Sequence, residues 1–587
     1  MENTMSNYED AIKALNGLQS NVAVINFLKQ RRQNQPETNL VETARFLERT
    51  GIKVPDLDRL NLIHVAGTKG KGSVCAMVES ILRHRGLKTG FYSSPHLIHV
   101  RERIRINGQP LCEAKFAEFF WKIYNRLIET NNIEDAEEGF QSMPAYFKFL
   151  TIMSFHVFLA EKVDVAIVEV GIGGAYDCTN VIQHPLVCGI TTLDYDHQAI
   201  LGDTIEQIAW QKAGIMKPSS IAVTMEQPES AMQILAKRSD EVKCPLYQCP
   251  PLSAYDSSSV AIPALKLGIP GRQQLENASL ALQLSRFWFN RREDPSYMPD
   301  CASSNEGTTR SNAPSHVPML NSYSLCTSDV RALNNCRWPG RSQTLERGTT
   351  TFYIDGAHTP KSIEFCSDWF NDAISRLDIP RDDVVRVLIF NCTSDRKPES
   401  LLRCLVNSDF DCAVFCPNMI YTEVDAKSDQ ANMRVSHEKA MERCEENRKA
   451  WLSLQAKSGS DHEIDGNDLV YVEKVNQSGM ALAVSQRTGA GGVVRTQFAN
   501  AIDWHGHYPG ASLEFTNFDY WTRSNGVCPW SNRITAVFPC ISSALKWVDT
   551  LGERLEATPG RRLQVLVTGS LHLVGGVLSI LDPNLNS

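Results

Sequence analysis

Two features that would assign a function at once are missing from this 587-residue sequence. The chain has no C-x-x-C pair, and its 17 cysteines are too sparse for a disulfide-stapled secreted domain. Its most apolar stretch, TIMSFHVFLAEKVDVAIVEV, is interrupted by Glu161, Lys162 and Asp164. Because a membrane helix needs about 18 or more consecutive apolar residues, we expect no integral membrane segment.

A surplus of basic charge is also missing, since 67 Asp and Glu residues outnumber 59 Lys and Arg residues and give a net charge of −8. This balance argues against a nucleic-acid partner, which requires a positive protein surface. The first residues, MENTMSNYEDAIKALNG, have neither the apolar run of a signal peptide nor the Arg-rich, acid-poor character of a transit peptide. We therefore expect a cytoplasmic protein with reduced thiols.

The arrangement of apolar residues predicts two α/β domains. Helical and buried-strand signals alternate through residues 1–294, as in a doubly wound, mostly parallel sheet. Residues 295–335 are rich in Ser, Asn and Pro and are interpreted as a linker insertion. Four short apolar runs then follow, TFYID, VVRVLIF, CAVFC and LQVLVTGS, which are expected to be strands, so residues 336–587 are expected to form a smaller, Rossmann-like α/β domain. We interpret residues 425–530 as a charged insertion in that domain, with a water-facing helix in its first part.

The strongest local signal is a glycine-rich loop between a predicted strand and a predicted helix, in NLIHVAGTKGKGSVCAMVESILRHRG. Gly67, Gly70 and Gly72 allow the backbone to approach phosphate oxygens, and Lys71 adds a mobile positive charge. The strict G-x-x-x-x-G-K-[ST] pattern is not met, because Gly72 separates Lys71 from Ser73. The sequence predicts a variant phosphate loop and hence a P-loop-type ATPase domain, and a plain glycine-rich turn is the alternative.

Two candidate metal ligands follow predicted strands. Glu169 stands at the carboxyl end of the buried run VDVAIVEV, where open α/β sheets bind their ligands. His197 follows the next strand, in LDYDH. Each has a structural alternative, because Glu169 could pair with a neighbouring Lys or Arg, and a lone His is more often structural than a ligand.

A lysine is predicted on the buried face of a helix. Thr204 and Gln207 form a capping box, and Ile205 and Ile208 define an apolar stripe whose next member is Lys212. A buried ammonium requires a partner or a function, since burying it unpaired is unfavourable. We favour a functional role, with a simple salt bridge as the alternative.

Eight sequence blocks occur in an order that resembles eukaryotic, fungal-like folylpolyglutamate synthase, of the Mur ligase superfamily. In chain order they are GTKGKGS, GFYSSPHLIHVRERIRING, EVGIGGAYDCTN, LDYDH with LGDTIEQIAWQKAGI, RWPGRSQ, YIDGAHTP, FNCTSDRKP and VLVTGSLHLVGG. The resemblance covers nearly the whole chain except residues 295–335, parts of 425–530 and the extreme N-terminus.

The resemblance implies roles for individual residues. The implied ATP contacts are Gly70, Lys71, Gly72, Ser73, Asn277, Arg341 and Asp355. The implied Mg²⁺ ligands are Ser94, Glu169 and His197. The implied catalytic residues are Lys71, Lys212 and His358, with Ser570 facing the glutamate cleft. Lys212 matches a family lysine that is carbamylated, which supplies an extra carboxylate near the metals.

The implied reaction is the ATP-dependent addition of L-glutamate to the γ-carboxylate of tetrahydrofolate or a folylpolyglutamate, through an acyl phosphate. The resemblance also implies K⁺ or another monovalent cation, a monomer, and a mitochondrial form in addition to the cytoplasmic one. One alternative is a dihydrofolate synthase, which the AYDCTN form of the third block disfavours. The other is a nucleotide-binding protein without ligase chemistry.

Overall fold

The computed structural model describes residues 7–18, 37–131, 141–257, 265–299, 301, 317–392, 396–421, 436–458, 470–473, 481–487, 493–499, 534–556, 560–583 and 585. These residues form two compact units that divide between Pro339 and Gly340. We call them unit 1 and unit 2. The division falls a few residues after position 336, where the second domain was expected to begin.

Unit 1 is an α/β unit whose helices lie on both faces of a sheet. Its described helices are α1 (Tyr8–Gly17), α2 (Thr38–Arg49), α3 (Lys71–His84), α4 (Glu113–Glu129), α5 (Tyr146–Glu161), α6 (Gln198–Leu201), α7 (Ile205–Ala213), α8 (Glu229–Val242), α9 (Gln273–Glu293) and α10 (Thr327–Asn335). Its described strands are β1 (Ile63–Ala66), β2 (Thr89–Tyr92), β3 (Ile104–Ile106), β4 (Gln109–Pro110), β5 (Val165–Glu169), β6 (Val187–Ile190), β7 (Ile221–Thr224), β8 (Leu246–Gln248), β9 (Asp256–Ser257) and β10 (Ser324–Leu325).

Eight of these strands form one sheet in the order β4-β3-β2-β5-β1-β6-β7-β8. Strands β2, β5, β1, β6, β7 and β8 run parallel to one another. Strand β3 pairs antiparallel with β2, and β4 pairs antiparallel with β3 at the edge of the sheet. Alternate residues of β5 face opposite helix layers, because Val165 and Ile167 cluster with α3 and α9 whereas Ala166 and Val168 cluster with α4 and α5. The predicted doubly wound, mostly parallel sheet is confirmed.

Residues 317–335 differ from the expected linker. They contain β10 and α10, and Val330 and Leu333 are buried in the same cluster as the apolar face of α3. This part of the interval is therefore packed as part of unit 1. Its average composition concealed the helix because most of the apolar residues of the interval lie within residues 317–335, and residues 302–316 lie outside the described part of the chain.

Unit 2 is also an α/β unit. Its described helices are α11 (Pro360–Ser375), α12 (Pro398–Leu402), α13 (His437–Ser458), α14 (Ile541–Glu556) and α15 (Leu571–Leu581). Its described strands are β11 (Gln343–Arg347), β12 (Thr350–Ile354), β13 (Val384–Phe390), β14 (Cys412–Phe415), β15 (Val470–Glu473), β16 (Ala481–Arg487), β17 (Val493–Ala499), β18 (Ile534–Val537) and β19 (Arg562–Thr568).

The sheet of unit 2 has the order β11-β12-β19-β13-β14-β18-β15-β16-β17. Its central strands β12, β19, β13, β14 and β18 run parallel, as in a Rossmann-like unit. The four apolar runs that were expected to be strands are β12, β13, β14 and β19. The antiparallel strands β11, β16 and β17 were not predicted.

Helix α13 corrects the expectation of a water-facing helix in the charged insertion. Cys444, Ala450, Trp451 and Leu454 form a buried face that packs in one cluster with residues of β13 and β14. The many charged residues of α13 occupy its other faces, so composition alone suggested solvation. Apart from α13, its preceding residue and strands β15, β16 and β17, residues 425–530 lie outside the described part of the chain.

Most of the 16 described cysteines, including Cys412 and Cys416, are buried. Burial raises the pKa of most of these thiols, which keeps them protonated and unreactive. None of the described helices combines the length and the apolar character that crossing a bilayer requires.

The stability of unit 1 is expected to fall in acid because of His64 in β1. His64 is 0% exposed, its Nε2 lies 2.9 Å from Thr179 Oγ1, and burial lowers the pKa of the imidazole to about 3. Between that value and the ordinary pKa near 6.5, the unfolded chain binds more protons than the folded chain. The free energy of unfolding therefore falls as the pH falls through this window, by up to about 1.4 kcal/mol per pH unit from this group.

Urea unfolding at pH 7 and at pH 4.5 measures this effect. His64→Gln keeps a hydrogen-bonding group that does not titrate, so we expect a smaller loss of stability between the two pH values than in the wild type. His184→Gln, at an exposed histidine, is the matched control. Equal pH dependence in the wild type and in His64→Gln would contradict the assignment.

Candidate active site

Four neighbouring strands bring the predicted residues of unit 1 to one edge of its sheet. Strands β2, β5, β1 and β6 are adjacent and parallel, so their carboxyl ends lie together, where ligands bind in open α/β sheets. The predicted site residues at the end of β5 or in the loops and first helical turn that follow these strands are Gly70, Lys71, Gly72, Ser73, Ser94, Glu169 and His197.

The backbone of the glycine loop adopts conformations that favour glycine at two positions. Gly67 and Gly70 have positive φ angles of 146° and 90°. The amides of Thr68 and Lys69 donate to the Thr192 carbonyl oxygen at 3.0 and 3.1 Å, which holds the first half of the loop. Helix α3 begins directly after Gly70, and its first N–H groups have no intrahelical acceptor and lie at the positive end of the helix dipole. The predicted order of strand, glycine loop and helix is confirmed.

Lys71 lies over this loop. Its Nζ donates to the Gly67 carbonyl oxygen at 3.1 Å and to the Thr68 carbonyl oxygen at 3.5 Å. No carboxylate of the described residues forms an ion pair with it. The charge of Lys71 is therefore available to an anion that binds at the start of α3, where Ser73 is buried in the first turn.

Lys212 is buried on the inner face of α7, as its spacing predicted. It is 4% exposed, and its Nζ donates to the Gly67 carbonyl oxygen at 2.8 Å. It forms no ion pair with a described carboxylate, so the salt-bridge alternative is not what the structure contains. Burial, with Lys71 close by, lowers the pKa of the Lys212 amine well below its ordinary value. The helix begins with the predicted capping box of Thr204 and Gln207.

The glycines that follow β5 allow their loop to lie directly against α7. A Cβ added at Gly174 would lie 2.6 Å from the Gln211 carbonyl oxygen, and the Ala175 amide donates to that oxygen at 2.7 Å. A Cβ at Gly214 would lie 2.3 Å from the Ala175 backbone. Only residues without side chains permit this approach, which fixes the end of α7 that carries Lys212.

The three predicted metal ligands lie at the same edge of the sheet. Glu169 is 5% exposed, and its Oε2 accepts a hydrogen bond from the Ser94 amide at 3.2 Å. His197 is exposed, and its ring forms no hydrogen bond with a described residue. Although part of its surface is open to solvent, desolvation of the ring by the surrounding protein atoms lowers the pKa of His197, against the opposing effect of Asp196, so the ring favours the neutral form that binds metals.

These donors fit Mg²⁺ that is held partly by a nucleotide. Within the described residues, no three His, Cys, Asp or Glu side chains group closely enough to hold a metal by themselves. Mg²⁺ commonly takes one or two carboxylates together with substrate phosphates and water. One buried carboxylate with a serine hydroxyl and a neutral imidazole, beside a phosphate loop, matches that requirement and does not match a structural zinc site.

Asn277 contacts the phosphate loop from α9. A Cβ added at Gly70 would lie 2.4 Å from Asn277 Oδ1, and Asn277 Nδ2 donates to Gln274 Oε1 at 2.8 Å. Asn277 is thus placed beside Gly70, at the start of α3. The close approach explains why position 70 excludes a side chain in addition to its positive φ.

Unit 2 has its own group of predicted residues after β12. Asp355 is 7% exposed and accepts hydrogen bonds from the Ser342 amide at 2.7 Å and the Ala357 amide at 2.8 Å. Burial raises the pKa of Asp355, against the opposing charge of Arg341. The Arg341 guanidinium donates to the Gly340 carbonyl oxygen at 3.1 Å. Asp355 therefore orders the turn that carries Arg341.

His358 and Ser570 already have partners within unit 2. His358 Nδ1 lies 2.9 Å from the Gly356 carbonyl oxygen, so Nδ1 carries the proton of that hydrogen bond. Ser570 is the N-cap of α15, where its Oγ accepts from the His572 amide at 3.3 Å and from Asn418 Nδ2 at 3.1 Å. The capping role of Ser570 is structural and was not anticipated.

One ion pair at this edge of the unit 1 sheet was not predicted from the sequence. Lys69 Nζ lies 3.0 Å from Asp196 Oδ2. Burial, opposed by the Asp196 carboxylate, lowers the pKa of Lys69 to about 8. The available signal was the presence of Lys69 in TKGKGS in addition to Lys71, together with the two acids of LDYDH.

Gly67→Ala is expected to destabilise unit 1 by about 3 kcal/mol or more, because the added Cβ overlaps a buried side chain in a backbone conformation unfavourable to alanine. That Cβ would lie 1.8 Å from Thr191 Oγ1, and Thr191 is fully buried. Thermal and urea unfolding measure the loss. Gly17→Ala is the control, because nothing lies within 4 Å of its added Cβ. Equal stabilities of the two variants would contradict the prediction.

The fold places the chain in one class of proteins, those with the two-domain Mur ligase-type fold. A Mycobacterium tuberculosis folylpolyglutamate synthase complexed with ADP and AMPPCP has a TM-score of 0.57 at 21% identity, over 93% of this chain and 99% of that chain. A bifunctional folylpolyglutamate synthase/dihydrofolate synthase of Yersinia pestis, complexed with AMPPNP and a Mn ion, has a TM-score of 0.54 at 21% identity, over 96% and 98%. At this identity the likeness establishes the fold.

Relatives found by sequence comparison have a higher identity to this chain than these structures have. Mitochondrial folylpolyglutamate synthase of Bos taurus is 40% identical over 603 residues, which cover 99% of this chain and 93% of the relative. Folylpolyglutamate synthase of Saccharomyces cerevisiae is 38% identical over 442 residues, which cover 73% of this chain and 75% of the relative. The chain matches no family model. It belongs to the folylpolyglutamate synthase family, which consists of ligases, and the resemblance drawn from the eight blocks is confirmed.

Proposed function

We propose that this chain joins L-glutamate to the γ-carboxylate of tetrahydrofolate and of folylpolyglutamates, using ATP and Mg²⁺. The chain belongs to this family, and one structural observation supports the proposal further. The phosphate loop, the buried Glu169 carboxylate and the Lys212 amine lie at one edge of the unit 1 sheet, and Lys71 and Lys212 both donate to Gly67. This arrangement supports a site in which the loop binds phosphate, the carboxylate binds a metal ion and the two lysines control the local charge.

The reaction begins with activation of the acceptor, because a carboxylate is a poor electrophile. The γ-carboxylate oxygen attacks the γ-phosphorus of ATP, ADP leaves, and an acyl phosphate forms. The N–H groups at the start of α3 and the Lys71 ammonium hold the phosphates and offset their charge. The glutamate amine then attacks the acyl carbon, a proton leaves the nitrogen, and phosphate departs as the amide bond forms.

We propose Ser94, Glu169 and His197 as the ligands of Mg²⁺, which would supply charge neutralisation at the transferring phosphoryl group. Lys212 is proposed to react with CO₂ through its neutral amine, so that an N–C bond forms and the amine proton passes to solvent. The depressed pKa of Lys212 supports this role, because only the unprotonated amine is nucleophilic. The resulting carbamate is an anion suited to a position beside the metal.

The remaining assignments are proposed on the family relationship and the local geometry. Asn277, which lies beside Gly70, is proposed to approach the adenine. Arg341 and Asp355 are proposed to contact the nucleotide, and His358 to act in catalysis. Ser570 is proposed to face the glutamate site while its hydroxyl caps α15.

A substrate panel tests the function. Purified protein is incubated with ATP, Mg²⁺ and radiolabelled glutamate, and with tetrahydrofolate, its monoglutamate forms or dihydropteroate as the acceptor. We expect labelled product from the tetrahydrofolate forms. Product from dihydropteroate alone would establish the dihydrofolate synthase alternative, and ATP binding without product from any acceptor would establish a nucleotide-binding protein without ligase activity.

Three finer properties are proposed from the family resemblance. We propose that K⁺ or another monovalent cation raises the rate, that the chain is a monomer, and that it works in the cytoplasm, where cysteines stay reduced, with a mitochondrial form in addition. Activity in K⁺ against an inert organic cation, light scattering after size-exclusion chromatography, and cell fractionation test these three points in turn. A mitochondrial fraction that contains the full activity would contradict the cytoplasmic proposal.

A further inference from the structure

The glycine loop after β1 and the loop after β6 are joined by hydrogen bonds of their backbones and of the Thr68 hydroxyl. The Thr68 and Lys69 amides both donate to the Thr192 carbonyl oxygen. Thr68 Oγ1 donates to the Asp194 carbonyl oxygen at 3.0 Å and accepts from the Asp194 amide at 3.1 Å. The phosphate loop is therefore tied to the loop that leads to His197.

The Lys69–Asp196 ion pair closes this junction. Lys69 Nζ lies 3.0 Å from Asp196 Oδ2, and the two side chains are 20% and 15% exposed. The other lysine of the loop behaves differently, since Lys71 Nζ lies over the Gly67 carbonyl oxygen and pairs with no described carboxylate. The two lysines of TKGKGS thus make different contacts, since Lys69 is paired with Asp196 in the neighbouring loop.

Asp196 also supports the backbone of His197. Its Oδ1 accepts a hydrogen bond from the His197 amide at 3.0 Å, and His197 has a left-handed φ of 52°. A residue other than glycine is held in that conformation only when its surroundings favour it. One carboxylate oxygen of Asp196 therefore holds Lys69 of the phosphate loop, while the other stabilises the turn that presents the His197 ring.

We propose that Lys69 is a positioning residue that couples nucleotide binding to metal binding, acting through Asp196 on the orientation of His197. This inference rests on the proposed function, because it takes the glycine loop as the ATP site and His197 as a metal ligand. In this arrangement the metal strengthens nucleotide binding partly because the two loops move as one body.

Calorimetry of AMPPCP binding, with excess Mg²⁺ or with EDTA, tests the coupling without turnover. The ratio of the two Kd values is the coupling factor. We expect Lys69→Met to lower this factor by about tenfold while the Kd in EDTA changes by less than about threefold. Asp196→Asn should have the same effect, the double variant should be no worse than either single variant, and Lys69→Arg should keep the factor within about twofold because the charge remains.

A second readout is Mn²⁺ affinity in the presence of AMPPCP, measured by electron paramagnetic resonance, which should weaken in Lys69→Met and not in Lys69→Arg. Thermal unfolding identifies any variant that misfolds. If Lys69→Met misfolds, Asp196→Asn is used in its place. Equal weakening of AMPPCP with and without Mg²⁺ would make Lys69 a phosphate contact and overturn the proposal, as would unchanged binding in both conditions. A wild type that shows the coupling but forms no ligation product would support this inference and reject the proposed function.

Discussion

Glutamate ligation is expected to be lost in Lys212→Met, with kcat lower by about 10³-fold or more, because the side chain that is proposed to control charge at the reacting centre is removed. Methionine keeps the length and apolar stem of the side chain, and the Gly67 carbonyl oxygen retains its hydrogen bond from Lys71. Removing a buried amine that pairs with no described carboxylate relieves a desolvation cost, so stability should stay equal or rise. Steady-state kinetics together with urea unfolding measure the two effects.

The matched control is Lys237→Met, at an exposed lysine of the neighbouring helix α8, which should change neither kcat nor stability. A ¹³C NMR spectrum in labelled bicarbonate should show a carbamate signal in the wild type that is missing from Lys212→Met. Full turnover in Lys212→Met would remove Lys212 from the mechanism. Lost turnover with identical carbamate signals in both proteins would reject carbamylation at this position.

The second large effect is expected at the carboxyl end of β5. Glu169→Gln should raise the Mg²⁺ concentration for half-maximal activity by at least about tenfold, because an amide replaces a buried carboxylate that is proposed to bind the metal. The neutral side chain has nearly the same size, so the fold should be kept. A Mg²⁺ titration at saturating ATP measures the requirement, and Mn²⁺ binding measured directly gives a readout independent of turnover.

Glu79→Gln is the matched control for a buried carboxylate. Glu79 is 4% exposed and bonds Arg83 and Thr89, at the opposite end of β2 from Ser94. Its replacement should lower stability through these lost bonds without changing the Mg²⁺ requirement. If both variants shift the requirement alike, or Glu169→Gln leaves it unchanged, Glu169 is not a metal ligand.

The parts of the fold that could be predicted are those specified by local pattern. The order of strand, glycine loop and helix around Lys71 followed from residue types within one short segment, because positive φ and helix capping depend on neighbours in sequence. The burial of Lys212 followed from helical spacing in the same way. Four strands of unit 2 were visible because each is an apolar run bounded by polar residues.

Other features depended on partners far away in the sequence. The α10 helix within 317–335 is stable because Val330 and Leu333 meet α3, although the interval as a whole has the composition of a linker. Helix α13 is buried on one face because Trp451 and its neighbours meet β13 and β14. Composition averages over such segments and misses the few residues that pack.

The sequence by itself determined that unit 1 has a glycine loop between a strand and a helix, a carboxylate at a strand end and a lysine on an inward helix face, since each of these is set by spacing along the chain. Only the tertiary structure decided that Lys212 reaches the Gly67 carbonyl oxygen and that Lys69 reaches Asp196. The physical reason is that parallel strand order brings loops together that are more than a hundred residues apart, and neither residue type nor periodicity records that order.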